Sequence, residues 1–162
     1  MQRVELGDFL LIAETHTAIN AHQLARMPRV VQLASAALAA PFAGFGDFEA
    51  YPSFAEKAAV YCSRIVAYHP LPDGNKRTGY DVMREFIDRN DATFAQPTEG
   101  LSATASVIEN LAAAAISETG RFWRWCSTRT ARSSTERRPK ARSKASESAV
   151  RSASDRSGEA VS

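Results

Sequence analysis

Residues 53–90 read SFAEKAAVYCSRIVAYHPLPDGNKRTGYDVMREFIDRN, a helix, a short polar loop and a second helix, and this order decides the fold. Ser53 followed by Glu56 is a capping box, in which each side chain satisfies a backbone amide left unpaired at a helix start. A helix is therefore predicted from Ser53. Its buried face would carry Ala55, Ala58, Ala59, Cys62, Ile65 and Val66, and the same spacing carried forward lands on His69. Pro70 stops it. The second helix is predicted from Asn75 to Asp88, with Tyr80, Met83, Phe86 and Ile87 on one face and Asn90 as a left-handed terminus.

Helical periodicity continues on both sides of this pair. Apolar residues at 6, 9, 10, 12 and 13 give one stripe between Leu6 and Ala18, and Arg29 to Ala40 carries another, ended by Pro41. Phe42 to Tyr51 mixes aromatics with glycines and reads as a loop or small hairpin. Farther on, Thr98 and Ser102 are alternative starts for a helix bearing Ile108, Leu111, Ala112, Ala115 and Ile116, closed by Gly120. Phe122, Trp123 and Trp125 form a last apolar cluster, a final turn or short helix on the core. No repeat is seen, and no alternating pattern is long enough for a sheet.

Composition bounds the possibilities. A chain of 162 residues, 44% hydrophobic, makes one domain with one core. Its longest apolar stretch, Leu33 to Phe45, is interrupted by Pro41 and is short of the roughly 18 residues that a membrane span needs. Asp8 and Glu5 stand where a signal peptide needs basic and then apolar residues, so a cytoplasmic protein is expected. Cys62 and Cys126 lie far apart without CxxC spacing, which fits reduced thiols. Residues 1–126 hold 11 Lys+Arg against 14 Asp+Glu, net −3, and residues 127–162 hold 9 against 4, net +5. Only Val150 and Val161 are large apolar residues in that second part, so a folded domain over 1–126 and a disordered basic tail over 127–162 are expected. The tail has no interleaved aromatics to stack on bases, and nucleic-acid contact is not favoured for it.

The loop between the two long helices concentrates chemistry. His69, Asp73, Gly74, Asn75, Lys76 and Arg77 place a base, an acid, a glycine, an amide and two cations within nine residues. Gly74 lets backbone amides approach a ligand, and the amides opening the next helix carry the positive end of its dipole. Lys76 and Arg77 add charge, with the guanidinium suited to phosphate oxygens. Asp73 is a hard oxygen ligand of the kind Mg²⁺ accepts beside nucleotide phosphates. His69 can take a proton from an incoming hydroxyl. Taken singly each residue has a duller explanation; their conjunction points to phosphate transfer. His16 and His22 stand outside the loop and are expected to be dispensable.

These residues resemble the signature of the Fic/Doc superfamily, whose Fic branch reads His-x-Phe-x-(Asp/Glu)-Gly-Asn-Gly-Arg-x-x-Arg, and they are most similar to the Doc, or death-on-curing, toxins. The likeness extends from Tyr51 through Ala59 ahead of the loop and into the helix behind it. It implies an all-α Fido-type bundle with a small flap hairpin, for which Phe42 to Tyr51 fits. It also implies His69 as general base, Asp73 as the Mg²⁺ ligand, Gly74 and Asn75 as the anion hole, and Lys76 and Arg77 as phosphate ligands. Leu71 stands where Phe is usual, Lys76 replaces the second glycine, and Tyr80 replaces the final arginine. Doc-type proteins share the lysine, which implies transfer of the γ-phosphate of ATP to elongation factor Tu; AMP transfer and an inactive binding module are the competing readings. An inhibitory pattern (Ser/Thr)-x-x-x-Glu-(Gly/Asn) is not completed at Glu99 or Glu109, since Ala95 and Ala105 stand four residues ahead. Inhibition by a separate antitoxin is therefore expected.

Overall fold

The computed structural model describes residues 1–95, 100–113 and 122–132. In chain order the elements are α1 (Leu6–Glu14), α2 (Ala21–Ala25), α3 (Pro28–Ala39), a 3-10 turn (Ala40–Phe42), β1 (Gly44–Phe45), β2 (Phe48–Glu49), α4 (Phe54–Tyr68), α5 (Asn75–Arg89), β3 (Ala92–Phe94), α6 (Leu101–Ala112), α7 (Trp123–Ser127) and β4 (Thr130–Arg132). The framework is helical, as the periodicity predicts. No described helix is long and apolar enough to cross a membrane.

The Ser53 capping box forms as read. Ser53 Oγ accepts from the Glu56 amide at 3.1 Å, and the Glu56 carboxylate accepts from the Ser53 amide at 2.8 Å. From that start α4 becomes the axis of the core, with α3, α5, α6, α7 and the 3-10 turn packed around it. Its burial is therefore wider than one stripe: Lys57, Val60, Tyr61 and Ser63 are buried along with the predicted Ala58, Ala59, Cys62, Ile65 and Val66, while Ala55 is half-buried. Gly79 of α5 marks a close approach to α4, since a methyl there would lie 3.1 Å from the Cys62 carbonyl oxygen. Phe86 of α5 stacks on Phe54 at 4.9 Å and tilts against Tyr61 at 5.0 Å, and Phe42 meets both Phe86 and Tyr61 edge-on. Tyr61 and Phe86, wholly removed from water, each contribute about 1.5–3 kcal/mol, and the half-buried Phe42 less. Both cysteines are free and buried, and desolvation raises their thiols, Cys126 to about 12.

The segment 42–51 folds as the expected hairpin, pairing Gly44 with Glu49 and Phe45 with Phe48. Gly46, at φ 59°, supplies the positive φ that its two-residue loop needs. Lys57 ties the hairpin to α4, donating to the Tyr51 carbonyl and to Glu49 Oε2 at 3.0 Å. This pairing satisfies an ammonium group that is otherwise buried in the core.

Four expectations are corrected. The stripe over Leu6 to Ala18 is cut at Glu14, and a separate α2 starts behind Asn20, whose side chain accepts from the Gln23 amide. Asn90 is not left-handed, at φ −103°; Asp91 is, at φ 54°. Asn90 instead uses its amide to hold the N-terminal segment, exchanging hydrogen bonds with Gln2 at 2.7 and 2.9 Å, so the chain reverses one residue later. Helix α6 begins behind Gly100 and not behind Ser102, while Thr98, Ala115, Ile116 and Gly120 lie outside the described residues. Finally, β3 and β4 pair antiparallel, Ala92 with Arg132 and Phe94 with Thr130. Three residues per strand are too few for an alternation to be legible. α7 runs to Ser127 and β4 to Arg132, and the rest of the expected tail lies outside the described residues.

Arg89 closes the end of α5 onto α1, with Nη1 2.7 Å from Asp8 Oδ2 and Nη2 2.6 Å from Glu85 Oε1. The hydrogen bond from Arg89 holds the Asp8 carboxyl below its ordinary value of 3.8. A lowered folded pKa stabilises above the unfolded value and is lost as pH falls through the folded one. Asp8→Asn is therefore expected to cost about 1 kcal/mol near pH 7, and the gap to the wild type should narrow as pH falls below the ordinary carboxyl range. Urea unfolding near pH 7 and in acid checks this; a gap that persists in acid would contradict it.

Candidate active site

α4 ends on His69 because the backbone turns left-handed there, at φ 52° and ψ 55°, before Pro70 forbids another helical turn. A non-glycine residue in this region is uncommon and costs about 1–2 kcal/mol, a strain that collects at functional positions. The reversal takes His69 off the buried face of α4 and leaves it exposed. Its Nδ1 lies 3.4 Å from the Val66 carbonyl. A carbonyl only accepts, so in the tautomer that makes this contact Nδ1 carries the ring proton and Nε2 the lone pair.

Gly74, at φ 79°, is the N-cap of α5, and no side chain caps this helix. The first helical bond runs from the Thr78 amide to the Gly74 carbonyl at 2.9 Å, so the amides of Asn75, Lys76 and Arg77 stand ahead of the ladder. The Asn75 side chain is buried and bonded twice to Leu71, accepting from its amide at 2.9 Å and donating to its carbonyl at 2.8 Å. The Asn75 side chain therefore fixes the loop, and only its backbone amide is left for a ligand. Leu71 is 2% exposed and fills the core, as expected of a leucine at the usual phenylalanine position.

The six predicted residues, His69, Asp73, Gly74, Asn75, Lys76 and Arg77, all line one cleft of about 540 Å³. Tyr80 joins them, its ring edge-on to Phe94 at 6.3 Å. Arg77 and Asp73 approach to 3.9 Å with both side chains mostly in solvent, a contact weak enough to yield to a ligand. The remaining wall belongs to α6: Thr104, Ala105, Ile108 and Glu109. The loop motif says nothing of that wall. The spacing of those four residues, one helical face, was the available signal. Glu109, set aside because Ala105 breaks the inhibitory pattern, is thus a wall residue of the cleft.

The cleft thus sets unpaired helix-start amides and two cations beside an exposed imidazole, and the family comparison falls on the same elements. Residues 9–87 match the Fic/DOC family. The match runs from α1 almost to the end of α5 and includes every predicted site residue, whereas α6 lies beyond it. No curated protein and no solved structure matches the chain significantly. Fic/DOC domains are protein-modifying transferases that use ATP and Mg²⁺. Among the described residues no three His, Cys, Asp or Glu side chains gather as a metal cage. Asp73 offers one carboxylate, 88% exposed, a donor set that fits Mg²⁺ shared with phosphates and water.

Proposed function

We propose that the chain is a Doc-type toxin, a protein phosphotransferase that moves the γ-phosphoryl group of ATP to a hydroxyl side chain of elongation factor Tu and so arrests translation. The observation that supports this most is the meeting of His69, Asp73 and Lys76 on one cleft, with Tyr80 where the Fic pattern has an arginine. The target hydroxyl gives its proton to His69 Nε2 as its oxygen bonds to the γ-phosphorus. The bond from that phosphorus to the β–γ bridging oxygen breaks, and ADP leaves with the electron pair. Lys76, Arg77 and the amides opening α5 hold the phosphates. Mg²⁺, when bound at Asp73, neutralises phosphate charge.

The test supplies elongation factor Tu and Mg²⁺ with ATP labelled at the α- or the γ-phosphate. Label from the γ-position alone is expected on the target; α-label without γ-label would replace the reading with AMP transfer. Asp73→Ala is expected to remove most of the Mg²⁺ dependence of ATP binding, about tenfold in affinity, as measured by calorimetry with and without the metal. An equally metal-dependent variant would show that Asp73 is not the ligand. A separate antitoxin that seats acidic residues on Lys76 or Arg77 would restrain the enzyme, and its co-expression should restore growth that the chain alone arrests.

A further inference from the structure

His16 is outside the cleft, yet it touches the phosphate loop from behind. It lies in the turn after α1, with its amide donating to the Ala13 carbonyl at 3.0 Å. Its ring Nε2 is 2.5 Å from Asp81 Oδ2 on α5, and its own side chain is 18% exposed. Its carbonyl accepts from Arg77 Nη2 at 3.5 Å. Its backbone also sits against Gly74, where a methyl group would fall 2.8 Å from the His16 oxygen.

Arg77 and Asp81 are spaced by four along α5, and Asp73, four residues ahead of Arg77 in the loop, approaches it too. Arg77 thus has an acidic neighbour on each side, and either could draw the guanidinium away from a ligand. The contact with Asp73 is only 3.9 Å, and Asp81 is engaged by His16 instead. We propose that His16 is a positioning residue of the phosphate site: its ring occupies Asp81 and its carbonyl steers Arg77, so the guanidinium stays available to an anionic ligand. This inference rests on the phosphate-binding reading of the cleft given above.

Calorimetry of the full chain with ATP and Mg²⁺ tests it through a rescue. His16→Ala is expected to weaken binding about three- to tenfold, because the freed Asp81 then competes for Arg77. Adding Asp81→Asn to that variant should restore most of the affinity, and His16→Gln, whose amide can still donate to Asp81, should bind close to the wild type. If the pair only stapled α1 to α5, the double variant would bind as poorly as His16→Ala or worse, and the proposal would be overturned. Undiminished binding by His16→Ala would overturn it as well. Should His16→Ala not fold, His16→Asn, too short to reach Asp81, carries the same comparison with and without Asp81→Asn. A folded wild type that binds no ATP would instead refute the phosphate-binding reading, and this inference with it.

Discussion

His69→Ala is expected to slow transfer to the target by about 10²- to 10⁴-fold while the protein stays folded, the usual cost of removing a positioned general base. The size of the effect follows from how little else in the cleft can do this work. Lys76 and Arg77 are cations, Asp73 is the proposed metal ligand, Glu109 stands apart on the α6 wall, and the Asn75 side chain is committed to Leu71. Stability should change by less than about 1 kcal/mol, because the imidazole is exposed and both residues bear a similar left-handed penalty at φ 52°. Turnover and urea unfolding of the purified variant check both halves. Unchanged turnover would end the mechanism. A large loss of stability would instead show that the Val66 contact holds the end of α4 together.

The α4–loop–α5 unit was legible because its signals are local. Ser53 and Glu56 lie within one turn, Pro70 acts through its own ring, and the spacing from His69 to Arg77 falls within a single loop. Elements that depend on distant partners were not. The wide burial of α4 arises because helices surround it, and a single-stripe reading of its sequence places Tyr61 and Lys57 no more inside than Arg64. The pairing of β3 with β4 joins residues nearly forty apart in the chain, with three residues on each side to announce it. The same holds within the site. The residues of the loop line one cleft, but the α6 wall beside them and the His16–Asp81 pair behind the loop arise by tertiary packing, so no motif around the loop encodes them. Asn75 is an intermediate case: its position was read, but its side chain turned out to hold the loop and not to face the cleft openly.

Gly74→Ala should be the most damaging single-methyl change in the site. At φ 79° the new side chain costs about 1–2 kcal/mol in backbone strain alone. Its Cβ would also sit 2.8 Å from the His16 carbonyl oxygen and 3.2 Å from the His16 Cβ, so either the turn after α1 or the start of α5 must move. A total loss of about 2–4 kcal/mol is expected. Moving Gly74 re-aims the amides of Asn75, Lys76 and Arg77, and a misplacement near 1 Å can cost about 10²-fold in function. Gly46→Ala is the internal control. It carries the same kind of strain at φ 59° but meets nothing within 4 Å, so it should lose about 1 kcal/mol and leave ATP affinity unchanged. Denaturation and calorimetry on both variants separate the two causes: what Gly74→Ala loses beyond Gly46→Ala measures the close contact with His16, and equal losses would mean that the loop can give way without disturbing the site.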